Sequence, residues 1–271
     1  MNIQFVCPFW GQENNLLTFA DQVLKAGYHG AEINVPEGEK GLALVKSIKA
    51  NQLTFIAQQW LPPASENFSG YLLKFKNNCL RLTELQPEFI NSHTGKDYFS
   101  FEENCRIIEA AFEITDQTGV RIVHETHRGR FTFHTAGLQP YLLKYPDLQI
   151  TADYSHWCVV SESLLEDQQQ TITNTLPHVK YIHARVGFDQ GPQVNDARAP
   201  EWETALNQHL KWWDDIIDHS QKAGSPTLFI CPEFGPEPYL MVTPFTQKPF
   251  SNQWELNLWM KDLLSNRYTK L

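Results

Sequence analysis

The chain has 271 residues, 42% of them hydrophobic and 20% charged, the balance of a globular protein with enough apolar material for a large core. Its 22 Lys and Arg against 31 Asp and Glu leave a net charge of −9, which repels polyphosphate and argues against nucleic acid as a partner. No run approaches the roughly 18 apolar residues of a membrane span, and residues 1–10 lack the basic and long apolar segments of a secretion signal. No membrane partner and a cytoplasmic location are therefore expected. Cys7, Cys79, Cys105, Cys158 and Cys231 are scattered, with no CxxC pair, and read as reduced, buried thiols.

Apolar, β-branched segments alternate with stretches of helical period along the chain. The first strand is expected over residues 3–8, with Phe9 and Trp10 following it before a helix near 14–26. A second strand over 30–35 leads to a helix at 39–50. A third over 54–58 leads through a polar loop, from Trp60 to about Phe68, to a helix at 67–85. The fourth strand, 89–93, precedes a helix at 101–118 whose Ser100 and Glu103 form a capping-box pattern. Strands at 121–127, 149–154, 181–186 and 227–232 follow, with helices near 137–145, 161–175, 200–222 and 252–266. Gly27, Gly119 and Gly224 fall where helices stop, each just before the next strand. Eight β-then-α units in strict alternation predict a parallel sheet closed into an α/β (β/α)8 TIM barrel, with residues 1–271 as one domain. A long polar loop over 187–200 and a Pro-rich stretch over 236–249 are expected at its mouth.

Four of the segments carry a metal-ligating side chain at or near the C-terminal end. They are Glu125 in VRIVHETH, Asp153 in LQITADYSHW, His183 in VKYIHARV and Glu233 in TLFICPEFGP. In a barrel, such strand ends point into the mouth where ligands bind. Three carboxylates and one imidazole make a hard, oxygen-rich set that suits Mn2+, Mg2+ or Co2+, with Zn2+ less specifically indicated. Four protein ligands in an octahedron leave two positions for vicinal oxygens of a ketose, and the Lewis acidity stabilises an enediolate as the proton beside the carbonyl leaves. Glu125 and Glu233 are the catalytic candidates for removing and returning that proton.

Strand alternation puts His127 on the face of Glu125, with His124 on the other, and Arg185 on the face of His183. His93 and His127 read as pocket lining, and Trp10, with Phe9 and Trp60, as an aromatic wall for a sugar ring. Trp202, Trp212 and Trp213 fall at helical spacing and read as core. Arg128 and Arg130 read as a surface pair. HETH is not the HExxH zinc motif.

At these residues the chain resembles the xylose isomerase-like barrels, a family that includes ketose 3-epimerases, hydroxypyruvate isomerase, inosose dehydratase and endonuclease IV. GYHGAEI around Glu32 looks like the family's second strand, and FINSHTG around His93 like its fourth. DYSH, with His156 three residues after Asp153, looks like its sixth, and HARVG with the later GPQVND like its seventh and the following loop. The resemblance implies that Glu125 and Glu233 are both metal ligands and the acid/base pair, that Asp153 and His183 complete the metal site, and that His156 and Arg185 meet substrate oxygens. Gln58 and Gln59 on the third strand, and Asp196 and Arg198 after His183, stand where endonuclease IV has further metal ligands, so its trinuclear site is not expected. The expected activity is a divalent-metal-dependent isomerase or epimerase of a sugar, sugar acid or sugar phosphate. An inosose-type dehydratase, an abasic-site phosphodiesterase and a non-catalytic sugar- or metal-binding barrel are the rivals. The expected partner is a small-molecule sugar, with a homo-oligomer left open.

Overall fold

Period-two alternation decides where strand side chains go, and here it sends one apolar set to the centre of a closed ring. The computed structural model describes residues 1–62 and 67–268. In it β1 (Asn2–Pro8), β2 (Gly30–Ile33), β3 (Thr54–Gln59), β4 (Ile90–Ser92), β5 (Ile122–Glu125), β6 (Ile150–Ala152), β7 (Val179–His183) and β8 (Thr227–Cys231) pair in parallel in that order. Pairing of β8 with β1 closes the ring. Around and after the strands come α1 (Phe19–Lys25), α2 (Glu39–Ala50), α3 (Phe68–Thr83), α4 (Phe101–Thr118), α5 (Thr135–Lys144), α6 (Ser155–Ser161), α7 (Gln169–Thr175), α8 (Glu203–Lys222) and α9 (Gln253–Tyr268). The fold is the (β/α)8 barrel that the alternation predicts.

Inside the ring, Val6, Ile56, Phe89, Val123, Tyr181, Phe229 and Cys231 form an apolar plug. The Phe89 ring meets Tyr181 and Phe229 edge-on, at 5.3 and 5.5 Å between centroids. Residues one step along the same strands, such as Phe5, Phe55, Ile122, Ile182 and Ile230, join the larger core between sheet and helices. Two steps along, the inward position turns polar. Phe89 is followed by Asn91 and His93, Val123 by Glu125 and His127, and Tyr181 by His183 and Arg185. An apolar plug therefore underlies a polar ring at the C-terminal ends of the strands, where burial strengthens every electrostatic contact.

Local chemistry sets the helix ends. The Ser100 Oγ accepts from the Glu103 backbone N–H at 3.1 Å, and the Glu103 carboxylate accepts from the Ser100 N–H at 2.9 Å, completing the box at the start of α4. Gly119 closes that helix at φ 75°, a left-handed conformation that costs glycine least. The helix expected near 161–175 divides into α6 and α7, because Glu162 and Leu165 both turn left-handed, at φ 48° and 59°. The preceding strand is correspondingly short, since Tyr154 already caps α6. The expected first helix likewise begins as a 3-10 turn at Glu13–Asn15, before α1. Trp212 and Trp213 are buried, and all five cysteines are free and buried. The polar loop expected after Trp60 falls largely on residues 63–66, outside the described residues. Among the described residues, no helix is long and apolar enough to cross a membrane.

The loops at the mouth are tied to one another. Gln193 accepts from the Gly235 N–H at 2.7 Å and donates to the Gly235 carbonyl at 3.2 Å, joining the loop after β7 to the chain after β8. Gln253 at the start of α9 donates to the carbonyls of Trp10 and Phe234, at 2.8 and 2.9 Å. A Cβ at Gly235 would stand 2.1 Å from the Trp10 ring, so glycine is what lets that indole close against the strand end.

Candidate metal centre at the barrel mouth

A cavity of about 590 Å³ opens at the C-terminal ends of the strands. Glu125, Glu233, Arg185, His93, His127 and Gln58 supply its polar lining, and Phe9, Trp10, Trp60 and Tyr239 its aromatic lining. The Pro-rich stretch after β8 thus reaches the mouth through Tyr239, whose ring meets Trp10 edge-on at 5.0 Å.

His183, at the end of β7, is the hub beneath this cavity. Its Nε2 lies 3.0 Å from a Glu32 carboxylate oxygen, which orients the ring and turns Nδ1 toward the mouth. There Nδ1 meets Glu233 Oε2 at 3.0 Å and Glu125 Oε2 at 3.7 Å. Burial pulls the imidazole pKa down, but Glu233, Glu32 and Glu125 outweigh it and hold the value well above the ordinary 6.5. For Glu125 the balance runs the other way. Burial raises its carboxyl, yet the charges of His93, whose Nε2 lies 2.9 Å away, and of His183 hold it well below the ordinary range.

Asp153, just past β6, is fully buried, and Arg185 is nearly so. Arg185 Nη2 donates to Asp153 Oδ2, Nη1 lies 3.4 Å from Glu233 Oε2, and Ser155 donates to the other Asp153 oxygen. Burial pushes the Asp153 carboxyl up to about 6, Arg185 pulling against it and Glu233 and Glu125 adding to it. His156 receives a hydrogen bond from Arg185 Nη2 at 2.8 Å, which assigns the proton to its other nitrogen. Burial, reinforced by His127 and Arg185, pushes the His156 pKa well below its ordinary value. His156 is fully buried and packs against His127, the ring centroids 3.8 Å apart and tilted by 46°, off the cavity lining.

The sequence quartet therefore gathers around His183 as two overlapping triads. Ligand atoms of Glu125, Asp153 and His183 lie within 4.8 Å of one another, and so do those of Glu32, His183 and Glu233. Arg185 stands between Asp153 and Glu233. A divalent cation suits this set on two counts. His183 Nδ1 and Glu233 Oε2 face each other, buried and without a hydrogen bond. Four buried carboxylates (Glu32, Glu125, Asp153 and Glu233) also face one buried guanidinium and the His183 imidazole, an excess of negative charge that a further cation would offset.

Two of the connecting residues were not singled out as functional by motif. Glu32 entered only as part of a resemblance, and Asn91 not at all. Asn91 Nδ2 donates to Glu125 Oε2 at 2.8 Å, and its carbonyl accepts from Thr151 Oγ1 at 2.7 Å. The signal available was alternation, since Asn91 lies two residues before His93 in FINSH. Arg128 is exposed as expected, but Arg130 is 6% exposed, and its Nε and Nη1 make no hydrogen bond, so the pair is not a surface pair. Asp196 and Arg198 bind each other, Arg198 Nη2 donating to Asp196 Oδ2 at 2.7 Å, and do not join the centre. His124, on the outer face of β5, meets Thr94 Oγ1 at 2.7 Å.

The fold and this centre define the molecule as an eight-stranded β/α barrel with a buried acidic and histidine cluster at its mouth. No family model and no curated sequence matches the chain. Solved structures of the same fold do. The probable 3-DHS dehydratase AsbF of Bacillus anthracis is 16% identical, with 97% of this chain and 99% of that one covered at a TM-score of 0.61. D-psicose 3-epimerase of Clostridium cellulolyticum H10 is 13% identical, with 98% of each chain covered at a TM-score of 0.59. A xylose isomerase-like TIM barrel protein of Mycobacterium smegmatis, solved in complex with magnesium, is 11% identical, with 87% and 92% covered at a TM-score of 0.61.

Proposed function

We propose that this chain, with residues 1–271 as one domain, is a divalent-metal-dependent isomerase or epimerase. Its substrate is a small sugar, sugar acid or sugar phosphate, and it moves a proton at the carbon beside a carbonyl. The observation that carries this reading is the facing pair of unbonded buried atoms, His183 Nδ1 and Glu233 Oε2, ringed by Glu125 and Asp153. Glu125, Asp153, His183 and Glu233 would hold the cation, Mn2+, Mg2+ or Co2+ before Zn2+ by ligand type. When bound, it supplies the Lewis acidity that stabilises negative charge on the substrate oxygens.

The protein's own groups divide the remaining work. Glu125 and Glu233 both line the cavity and approach one ring nitrogen from strands three places apart in the ring, the arrangement needed for one carboxylate to take a proton and the other to return it. Arg185 keeps its guanidinium on the cavity wall, locked by Asp153 and His156, ready to meet a substrate oxygen. His93 and His127 offer neighbouring imidazoles on the same wall, and Trp10 a face for the apolar side of a sugar. The cavity has the size of a small-ligand pocket. Five unpaired, buried cysteines support a reducing, cytoplasmic setting.

The test is metal analysis of the purified protein, then a ketose panel in deuterated buffer. Deuterium at the carbon beside the carbonyl in recovered substrate or product is expected. A panel without exchange in metal-loaded protein overturns the assignment, and loss of water from the product redirects it to a dehydratase, the activity in the name of the Bacillus anthracis neighbour.

A further inference from the structure

We propose that the rim of the barrel mouth holds an anion subsite, where Arg128 over Tyr239 seats a carboxylate or phosphate at the far end of the substrate. The inference narrows the function proposed above from sugars at large to anionic sugars. It rests on that reading only for the place of the reacting carbons, between Glu125 and Glu233.

Arg128, in the loop after β5, and Arg185, just past β7, converge on one ring. Their Cζ atoms lie 5.2 and 4.9 Å from the centre of Tyr239, which itself lines the cavity. Both distances fall within the ~6 Å of a cation–π contact. The two guanidiniums differ in what else they touch. Arg185 is buried and engaged by Asp153, Glu233 and His156. Arg128 is exposed, and among the described residues its guanidinium has no hydrogen-bonding partner and no carboxylate within 4.0 Å. A guanidinium held through its face keeps its in-plane N–H groups free, and that fork matches two oxygens of a carboxylate or phosphate.

Arg130, two residues on, adds a second uncommitted cation from behind the wall. It is 6% exposed, and two of its guanidinium nitrogens, Nε and Nη1, make no hydrogen bond. Its backbone N–H donates to the His127 carbonyl at 3.2 Å, so the turn that carries both arginines is folded onto a cavity-lining residue. A buried cation short of acceptors is costly, and this loop therefore calls for negative charge that the chain does not supply. Burial, above all, keeps His127 and His156 well below their ordinary pKa, with Arg130 and Arg128 respectively among the lesser causes. The positive charge of this loop thus belongs to its arginines.

The wall from β1 to β3 offers nothing comparable. Phe9, Trp10, Gln58 and Trp60 present aromatic and amide surface there, and Glu13 accepts from the Gly11 N–H at 3.1 Å. In a chain of net charge −9, a local pair of free guanidiniums is what draws an anion to one side of the mouth.

D-fructose, D-fructuronate and D-fructose 6-phosphate share a ketose end and differ only at C6, so together they isolate the contribution of the anion. Each is titrated calorimetrically into Mn2+-loaded wild type and Arg128→Gln, freed of excess ion, and solvent deuterium exchange is read on the same samples. In wild type an anionic probe is expected to bind at least about 10-fold more tightly than D-fructose. Arg128→Gln is expected to lower that ratio by about 10-fold, the worth of one charge-assisted contact. Tighter binding of D-fructuronate assigns the subsite to a carboxylate, and tighter binding of D-fructose 6-phosphate to a phosphate. Anionic probes that bind no better than D-fructose, or a ratio unchanged in Arg128→Gln, overturn the subsite; with exchange intact, the proposed function still stands. Arg128-dependent binding without exchange overturns that function and leaves the subsite. Wild type alone gives a second reading, because salt screens an exposed guanidinium: the ratio is expected to fall between about 0.01 and 0.15 M salt, and a constant ratio contradicts the proposal.

Discussion

Glu32→Gln isolates the carboxylate beneath the centre, because Glu32 touches His183 but does not line the cavity. Its oxygen lies 3.0 Å from His183 Nε2, and the amide replacement keeps the shape while removing the charge. A charge-assisted bond becomes a neutral one of about half the strength. Losing such an outer partner of a ligating histidine costs about 10- to 100-fold in metal affinity, or ~1.4–2.8 kcal/mol. In the metal-free protein the charge acts in both directions. Ligand oxygens of Glu32 and Glu233 lie within 4.8 Å, and at an effective dielectric of 20 two charges at that separation repel by ~3–4 kcal/mol. The same carboxylate attracts the His183 imidazole, held above its ordinary pKa, by ~5–6 kcal/mol at 3.0 Å. The attraction is the larger, so the metal-free variant is expected to melt somewhat below wild type. Chelator-competition titration with Mn2+ reads the affinity, and thermal unfolding in chelator reads the fold. Unchanged Mn2+ affinity, or a metal-free variant that melts above wild type, refutes the reasoning.

Three further outcomes follow from the same geometry. Glu233→Gln is expected to lower kcat by about 100-fold or more while some metal remains bound, as loss of an acid/base group does; undiminished turnover counts against that role. Arg185→Ala strands Asp153 and Glu233 without their guanidinium, and breaking one side of a buried pair costs ~3–5 kcal/mol. That corresponds to a fall in Tm of roughly 6–20 °C, at about 2–4 °C per kcal/mol for a chain near this size, and an unchanged Tm refutes it. The pH dependence of the metal-free protein has a definite sign. His183 is held above its ordinary 6.5, so its stabilising contribution is complete below that pH and is lost as pH rises through the folded value. Asp153, raised to about 6, likewise favours the fold less as pH rises from about 4 to 6. The buried His124, His127, His156 and His209, all held below 6.5, act in the reverse sense, their contribution growing as pH rises toward 6.5 and complete above it. In chelator, Tm is therefore expected to decline from about pH 7 to 9, whereas a rise across that window contradicts the charge pattern.

Much of the barrel was legible because its signals are local. Each strand is a short β-branched run, each helix has its own period, and Ser100, Glu103 and Gly119 mark the limits of α4 without reference to anything distant. The C-terminal strand positions of Glu125, His183 and Glu233 were legible for the same reason. What escaped depends on ring closure. Asn91 matters through Glu125 and Thr151, partners 34 and 60 residues away, and nothing in FINSH distinguishes a hub amide from a polar strand residue. Glu32 is 151 residues from the histidine it orients. Ser155 and His156 fell between the strand expected over 149–154 and the helix expected near 161–175, so the short helix they open was not anticipated. Arg130 looked like a surface charge because burial of a loop residue is set by what packs over it.

The most direct measurement is anomalous diffraction from crystals equilibrated with Mn2+. One strong peak is expected in contact with Glu125, Asp153, His183 and Glu233, at roughly the 2.0–2.3 Å of such bonds. A Mn2+-equilibrated crystal in which Arg185 still bridges Asp153 and Glu233, with no ion bound to His183 Nδ1, contradicts the account.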